Sequence, residues 1–201
     1  MEKGLMVVVS GPAGSGKGTV NGHLLKRDDF IYSVSATTRA PRPQEIDGVN
    51  YHFISKDEFL SRINSGDMLE YTEYCGNFYG TPLKEALEVL ESGKNLILEI
   101  EVEGAHNVKA KYPEAILIML LPPSFAVQEQ RLRGRGTETE EKVLARLERT
   151  KEELSVAKDY DYVVYNYDGK DIDAADEILA ILKAERASIR RNPNVKENYF
   201  A

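Results

Sequence analysis

Apolar positions along this chain fall into three kinds of run, and each predicts a different element. Leu5-Met6-Val7-Val8-Val9 and Ala115-Ile116-Leu117-Ile118-Met119-Leu120-Leu121 are apolar throughout, as strands buried on both faces of a parallel sheet read. Residues 95–101 read as a third such strand ending in two acids, 162–166 as a last core strand, and 30–35 as a second, short strand. Between them the apolar residues recur at helical spacing. They do so at Val20, Leu24 and Leu25, over 82–90, 104–111 and 125–132, and at Val143, Leu144, Leu147 and Leu154 within 138–158. A last helix is predicted over 172–186. Strands alternating with helices predict βαβ units, hence an α/β fold with a parallel sheet flanked by helices.

The third kind of run is short and alternating. Tyr51-His52-Phe53-Ile54 reads as a strand, and 69–74 with 77–81 as a hairpin around Cys75-Gly76. Between them 56–64 reads as an amphipathic helix, with Ser55 as N-cap, Glu58 as its capping-box partner, and Phe59, Leu60 and Ile63 inward. Residues 35–81 are therefore expected to form a small mixed α/β lobe inserted into the parallel core. The residues from about Arg190 on are expected to be a loose tail.

One stretch carries chemistry on its own. Gly11-Pro12-Ala13-Gly14-Ser15-Gly16-Lys17-Gly18-Thr19 follows the first strand and opens the first helix. Strand, glycine-rich turn and helix is the context of a phosphate-binding P-loop. Glycines let several backbone N–H groups point at one anion, the helix N-terminus adds partial positive charge, and Lys17 adds a full one. The usual pattern has Ser or Thr directly after the lysine. Here Gly18 stands there and Thr19 follows, so either Thr19 or water makes the contact with Mg²⁺.

Composition narrows the partners. The chain has 201 residues, 42% hydrophobic and 29% charged, which fits one domain with inserted lobes. Lys and Arg total 26 against 33 Asp and Glu, a net charge of −7, so a general nucleic-acid binder is not expected and basic sites must be local. With Cys75 as the one cysteine there is no internal disulfide and no thiolate metal cluster. No run reaches membrane-spanning length and no signal-peptide pattern opens the chain, so a cytoplasmic protein is expected.

Several charged residues stand where phosphate chemistry could use them. Thr37-Thr38-Arg39-Ala40-Pro41-Arg42-Pro43 is a proline-stiffened loop that could aim two guanidinium forks together, although Arg39 and Arg42 taken alone read as solvated. Arg131-Leu132-Arg133-Gly134-Arg135-Gly136-Thr137 joins a turn to a long helix carrying Arg146 and Arg149, the composition of a mobile lid over a polyphosphate. A salt-bridged, solvated helix is the other reading. It is preferred for Arg133 and Arg149, while Arg131, Arg135 and Arg146 stay open between the two. Glu99 and Glu101 fall at the carboxyl end of a core strand, where ligands of open α/β sheets bind.

These motifs together resemble one family. The run Thr38-Arg39-x-x-Arg42-x-x-Glu45-x-x-Gly48-x-x-Tyr51-x-Phe53 resembles the signature of guanylate kinases. So do Gly76-Asn77-Phe78-Tyr79-Gly80-Thr81, Leu98-Glu99-Ile100-Glu101-x-x-Gly104-Ala105, Pro122-Pro123-Ser124 and Arg131-Leu132-x-x-Arg135-Gly136-Thr137, in order from the P-loop to Asn166. The resemblance implies one guanylate kinase-like domain: a P-loop core (1–34, 82–125 and 150–190), a GMP-binding lobe (35–81), a helical lid (126–149) and a tail (191–201). It implies Mg²⁺-dependent transfer of phosphate from ATP to GMP, with dGMP left open, in purine nucleotide metabolism. ATP would lie on the P-loop, Arg131 and Asn166. The GMP phosphate would fall on Ser35, Arg39, Arg42, Tyr51 and Tyr79, and guanine on Glu70, Thr81 and Glu99, with Glu101 nearby. Lys17, Arg39, Arg135 and Arg146 would carry the catalytic charge, and no side chain is expected to ligate the metal directly.

The chemistry of the implied base site is coherent. Guanine offers a ring N–H and an amino group beside a carbonyl. Glu70 can accept from both donors, and the Thr81 hydroxyl can donate to the carbonyl. The chain departs from the family pattern at Glu101, where Asp is common, and at Glu103, where Gln is. Scaffold domains of this fold bind peptides instead, but they lose the P-loop lysine, which is intact here. A kinase of another phosphorylated acceptor, such as a ribose phosphate, would not need Glu70 and Thr81 as edge readers.

Overall fold

The computed structural model describes residues 2–74, 76–134, 136 and 139–200. Its centre is a five-stranded, all-parallel sheet in the order β2-β7-β1-β8-β9, made of Phe30–Tyr32, Asn95–Leu98, Met6–Ser10, Ile116–Leu121 and Tyr162–Tyr165. The period-2 geometry of β1 sets the layers. Val7 and Val9 face one way, onto Val20 and Leu24 of α1 (Lys17–Leu24) and Ile178 and Leu182 of α7 (Asp171–Ala187). Met6 and Val8 face the other way, onto Ala86 and Leu90 of α3 (Leu83–Glu91) and Ala105 and Val108 of α4 (Val102–Lys111). Both faces are covered, which is why the central strands carry no polar alternation.

The inserted region forms a second, mixed sheet in the order β4-β3-β6-β5: His52–Phe53, Ala36–Thr37, Asn77–Pro82 and Met68–Tyr74. β5 and β6 are the expected hairpin, antiparallel with Glu70 opposite Thr81; Cys75 at its tip lies outside the described residues. α2 (Lys56–Ser65) is capped as expected, the Ser55 Oγ accepting from the Glu58 N–H at 3.1 Å. The Glu58 carboxylate takes Arg62 at 2.7 Å instead of returning to the cap. Phe59 is fully buried against Phe78, whereas Leu60 points outward.

The remaining helices are α5 (Phe125–Gly134), α6 (Glu140–Ser155) and α8 (Val195–Phe200). Val143 and Leu147 of α6 pack on Leu132 of α5, but Leu144 and Leu154 are exposed, so the apolar face is narrower than the spacing predicts. Three further expectations need correcting. The strand predicted over 95–101 ends at Leu98, because Glu101 already serves as N-cap of α4. The last strand is a sheet edge, not a core strand, with Val163 and Tyr165 facing out. The tail is anchored at its root: buried Glu185 accepts from Tyr162 Oη at 2.5 Å, Arg190 at 2.8 Å and Arg191 at 2.9 Å. Burial would raise the Glu185 carboxyl, but those three donors outweigh it and hold it at about 2. Among the described residues no helix is long and apolar enough to cross a membrane.

Candidate active site

The turn after β1 is built on glycines whose backbone conformations other residues rarely adopt. Gly11, Gly14 and Gly16 have φ of 146°, 87° and 90°. A Cβ on Gly11 would lie 2.1 Å from the Leu120 carbonyl oxygen, and one on Gly16 would lie 2.3 Å from Asn166 Nδ2. The turn is also gripped from outside. Asn166 Nδ2 donates to the Ser15 carbonyl at 2.9 Å, and Arg131 donates to the Gly14 carbonyl at 3.2 Å and to the Asn166 carbonyl at 2.8 Å. Asp168 holds Arg131 in place at 2.6 Å. Pro12 and Ser15 are buried in the turn, while Gly18 and Thr19 are exposed at the start of α1.

Lys17 stands at the junction of two clefts, with its Nζ donating to the Gly11 carbonyl and, at 3.4 Å, to that of Pro12. One cleft, of about 330 Å³, runs toward the inserted lobe and is lined by Ser35, Tyr51, Glu70 and Tyr79. The other, of about 600 Å³, runs under α6 and is lined by Gly11, Ala13, Arg146 and Arg149. Glu99 and Glu101 line both. A third cleft, behind the turn, is lined by Gly14, Gly16, Thr19, Arg131, Asn166 and Asp168.

At the far end of the first cleft Glu70 is 3% exposed. Burial pushes its carboxyl up to about 7, against the hydrogen bonds from Thr81 and the charge of Lys111. Thr81 is fully buried, and its hydroxyl donates to Glu70 Oε1 at 2.8 Å, so it braces the acid and does not face the cleft. At the near end Arg39 lies over the Tyr51 and Phe53 rings at 5.6 and 5.8 Å. Its guanidinium forks onto Glu45 at 2.9 and 2.8 Å, and Glu45 also accepts from the Arg42 N–H at 2.7 Å. The hydrogen bond from Arg39 first, then that from Arg42, draws the Glu45 carboxyl down to about 2. The Arg42 side chain is 74% exposed and reaches none of these clefts.

The structure thus gathers Lys17, Ser35, Tyr51, Glu70, Tyr79, Glu99 and Glu101 in one cleft, with Arg39 stacked at its wall. Arg146 lies across the second cleft, and Arg135 lies outside the described residues. Arg133 is bound to Glu129 and Glu140, as the solvated reading expects. Arg149 is salt-bridged on the helix as expected, to Glu153 at 3.2 Å, and it also meets Glu101 at 3.1 Å and lines the second cleft.

Three polar residues escaped the sequence reading. Asn21, one turn along α1 from Lys17, donates to Glu99 at 2.9 Å; its i+4 spacing from the lysine was the available signal. Buried Gln128 donates to the Ala13 carbonyl at 2.9 Å and to Thr150 Oγ1 at 2.7 Å, and Thr150 donates to the Arg146 carbonyl at 3.0 Å. Gln128 and Thr150 occupy core-facing positions of α5 and α6, spaced four before Leu132 and three after Leu147. A polar residue on an apolar stripe was the signal there.

The family model described as guanylate kinase matches residues 3–184 of this chain. The chain belongs to the guanylate kinase family. It is 52% identical to the guanylate kinase of Halalkalibacterium halodurans, covering 94% of this chain and 93% of that protein. It is 47% identical to that of Clostridioides difficile, covering 97% and 95%. The crystal structure of guanylate kinase from Anaplasma phagocytophilum superposes with a TM-score of 0.74 at 33% identity, covering 94% of this chain and 89% of that one. Like a guanylate kinase, the chain joins a parallel α/β core to a mixed sheet, and Lys17 stands in the cleft between them.

Proposed function

We propose that this guanylate kinase family member transfers the γ-phosphoryl group of ATP to GMP, giving ADP and GDP. The observation that carries the reading is the position of Lys17, with a cleft on one side ending at the buried carboxylate Glu70 and a second cleft under Arg146 on the other. The first cleft would take GMP, its base toward Glu70 and its phosphate toward Ser35, Tyr51, Tyr79 and Arg39. Residues 35–81 would act as the GMP lobe and 126–149 as a lid. ATP would lie along the P-loop, with its base toward Arg131 and Asn166.

The acceptor is already a phosphate, so no covalent nucleophile is needed. An oxygen of the GMP phosphate attacks the γ-phosphorus in line, the bond from that phosphorus to the bridging oxygen breaks, and ADP leaves with the electron pair. Catalysis is then positioning plus charge neutralisation, supplied by Lys17, Arg39, Arg146 and Arg135. Glu99 and Glu101 offer hard oxygen donors beside Lys17, which suits Mg²⁺ held through water. Bound there with the nucleotide, Mg²⁺ supplies further neutralisation of the phosphate oxygens.

A coupled assay of ADP release with GMP, AMP, CMP and UMP tests the reading; turnover with GMP at least about 10⁴-fold more efficient than with AMP is expected of a hydrogen-bonding base site. Lys17→Ala should lower kcat by about 10³-fold with an unchanged circular dichroism spectrum, the scale of losing one preorganised charge at the transferring phosphoryl group. GMP turnover that survives Lys17→Ala would remove the P-loop from the mechanism.

A further inference from the structure

Gly104 occupies the first turn of α4 and lines the same cleft as Lys17 and Glu70. Glycine is kept at a buried position either for its backbone freedom or for the space it leaves. Gly104 is absent from the positive-φ glycines of the chain, so its backbone conformation is one that alanine adopts readily. Within a helix glycine is less stable than alanine, so local structure argues against it. Space is the remaining reason. A Cβ on Gly104 would lie 2.8 Å from Glu70 Oε2, 3.3 Å from Ile100 Cδ1 and 3.5 Å from Glu70 Cδ.

The carboxylate so approached is tethered on its other side. Its other oxygen accepts the Thr81 hydroxyl at 2.8 Å, and the β5–β6 pairing fixes Glu70 opposite Thr81. On the backbone side, a Cβ on Gly80 would lie 2.6 Å from the Glu70 carbonyl oxygen. The Glu70 side chain is therefore held between a hydroxyl on the lobe and a bare helical turn of the core.

We propose that Gly104 is a specificity-determining position: the missing side chain sets the depth and plane of the Glu70 carboxylate, and through it the preference for guanine over adenine. The inference rests on the reading that Glu70 faces the acceptor base. It assigns part of base selection to α4, a core element that does not belong to the inserted lobe. A methyl group at 104 meets the end of a rotatable side chain, so it displaces the carboxylate while the helix persists. Fold and base reading then respond in opposite directions, which a purely structural glycine would not produce.

The test is kinetic, on the full chain. Wild-type turnover of GMP is measured first, and its absence would overturn the functional reading itself. Given that turnover, Gly104→Ala should keep or raise the Tm, leave the KM for ATP within about twofold, raise the KM for GMP at least about tenfold and narrow the ratio of GMP to AMP efficiency. In a Glu70→Asp background the acid is one methylene shorter, and the same methyl fills the vacated space. There Gly104→Ala should improve GMP use over Glu70→Asp alone. That double variant also carries the test should the single Gly104→Ala protein not fold. Unchanged GMP kinetics in Gly104→Ala, equal losses for ATP and GMP with a lowered Tm, or harm in both backgrounds would each overturn the inference.

Discussion

Two carboxylates of the inserted region, Glu70 and Glu45, are pushed in opposite directions. Glu70 sits at the closed end of its cleft with a hydroxyl for company, and burial lifts it to about 7. Glu45 sits in the loop at the open end, clamped by Arg39 and the Arg42 N–H, and falls to about 2. The residue type is the same and the tasks differ. On the proposed reading the acid at the closed end would read the base, with a neutral hydroxyl as its hydrogen-bond partner and an oxygen left for a base's N–H donors. At the open end the acid holds the Arg39 guanidinium, which on the same reading would meet the phosphate. Discrimination would then come from an acid partnered by a neutral hydroxyl, and charge recognition from a guanidinium clamped by an acid.

The largest expected effect comes from breaking the closed end. Glu70→Gln turns one acceptor oxygen into an NH₂ that meets a guanine donor, a mismatch of about 2–4 kcal/mol. GMP kcat/KM should fall by roughly 100-fold or more, and discrimination against AMP should narrow because the amide can donate to adenine's ring nitrogen. Efficiencies for both nucleotides, in wild type and variant, check this. A GMP-to-AMP ratio that does not move would take base reading away from Glu70.

Next is the open end. Arg39→Lys keeps the charge and loses the fork, so GMP should bind about tenfold more weakly while ATP affinity holds. Separate titrations of the two nucleotides distinguish this from an equal loss for both, which would make Arg39 structural.

The difference in protonation gives a test of similar size without changing a residue. Glu70 binds its proton more tightly folded than unfolded, so its contribution to the stability of the free protein is present below its ordinary 4.5 and is lost as pH rises through about 7. Base recognition needs the ionised form, so GMP affinity should drop about tenfold between pH 8 and pH 6. Because a phosphate group also titrates near pH 6, the same titration on Glu70→Gln is the control: its slope should be the phosphate's alone. For Glu45 the sign is reversed. Its contribution is present above 4.5 and is lost as pH falls toward 2, well outside the range in which Glu70 responds.

Smallest is Glu45→Gln. The amide still accepts one bond from Arg39, so the KM for GMP should rise only about threefold, while stability should fall measurably because the two side chains are only 18% and 14% exposed. An effect as large as that of Arg39→Lys would mean that Arg39 cannot find its position without a charged holder.

Much of this molecule was legible beforehand, and the failures have physical causes. The P-loop was readable because its constraint is local: Gly11 and Gly16 answer to atoms of Leu120 and Asn166 that no larger residue could approach. The parallel sheet was readable from the runs around Val8 and Leu117, which face core on both sides. The edge position of the last strand was not, because Tyr162-Val163-Val164-Tyr165 is as β-prone as a central strand and only the sheet order exposes it. Glu101 was read as a strand end because the boundary between strand and N-cap leaves little trace in residue type. The helical partner of Arg149, Glu153, follows the i,i+4 rule; its second partner, Glu101, was out of reach because it lies 48 positions away in sequence. The anchoring of the tail depends on Glu185 meeting Arg190 and Arg191 after the last long helix ends, a contact that composition alone does not reveal.

The Gln128 contact has a mechanical consequence. An amide nitrogen has two hydrogens, and here one goes to the phosphate turn and the other to Thr150. Lifting the base of α6 away would strip a buried donor, so that end of the helix is a fulcrum. From Thr150 to Glu140 is ten residues, about 15 Å of rigid helix at 1.5 Å per residue. A swing of about 20° about that fulcrum carries the tip by about 5 Å, roughly one helical turn, while Ala13 stays where it is. Were α6 to close as a lid, an arm bolted to the phosphate turn would let its tip travel without disturbing the geometry at its root.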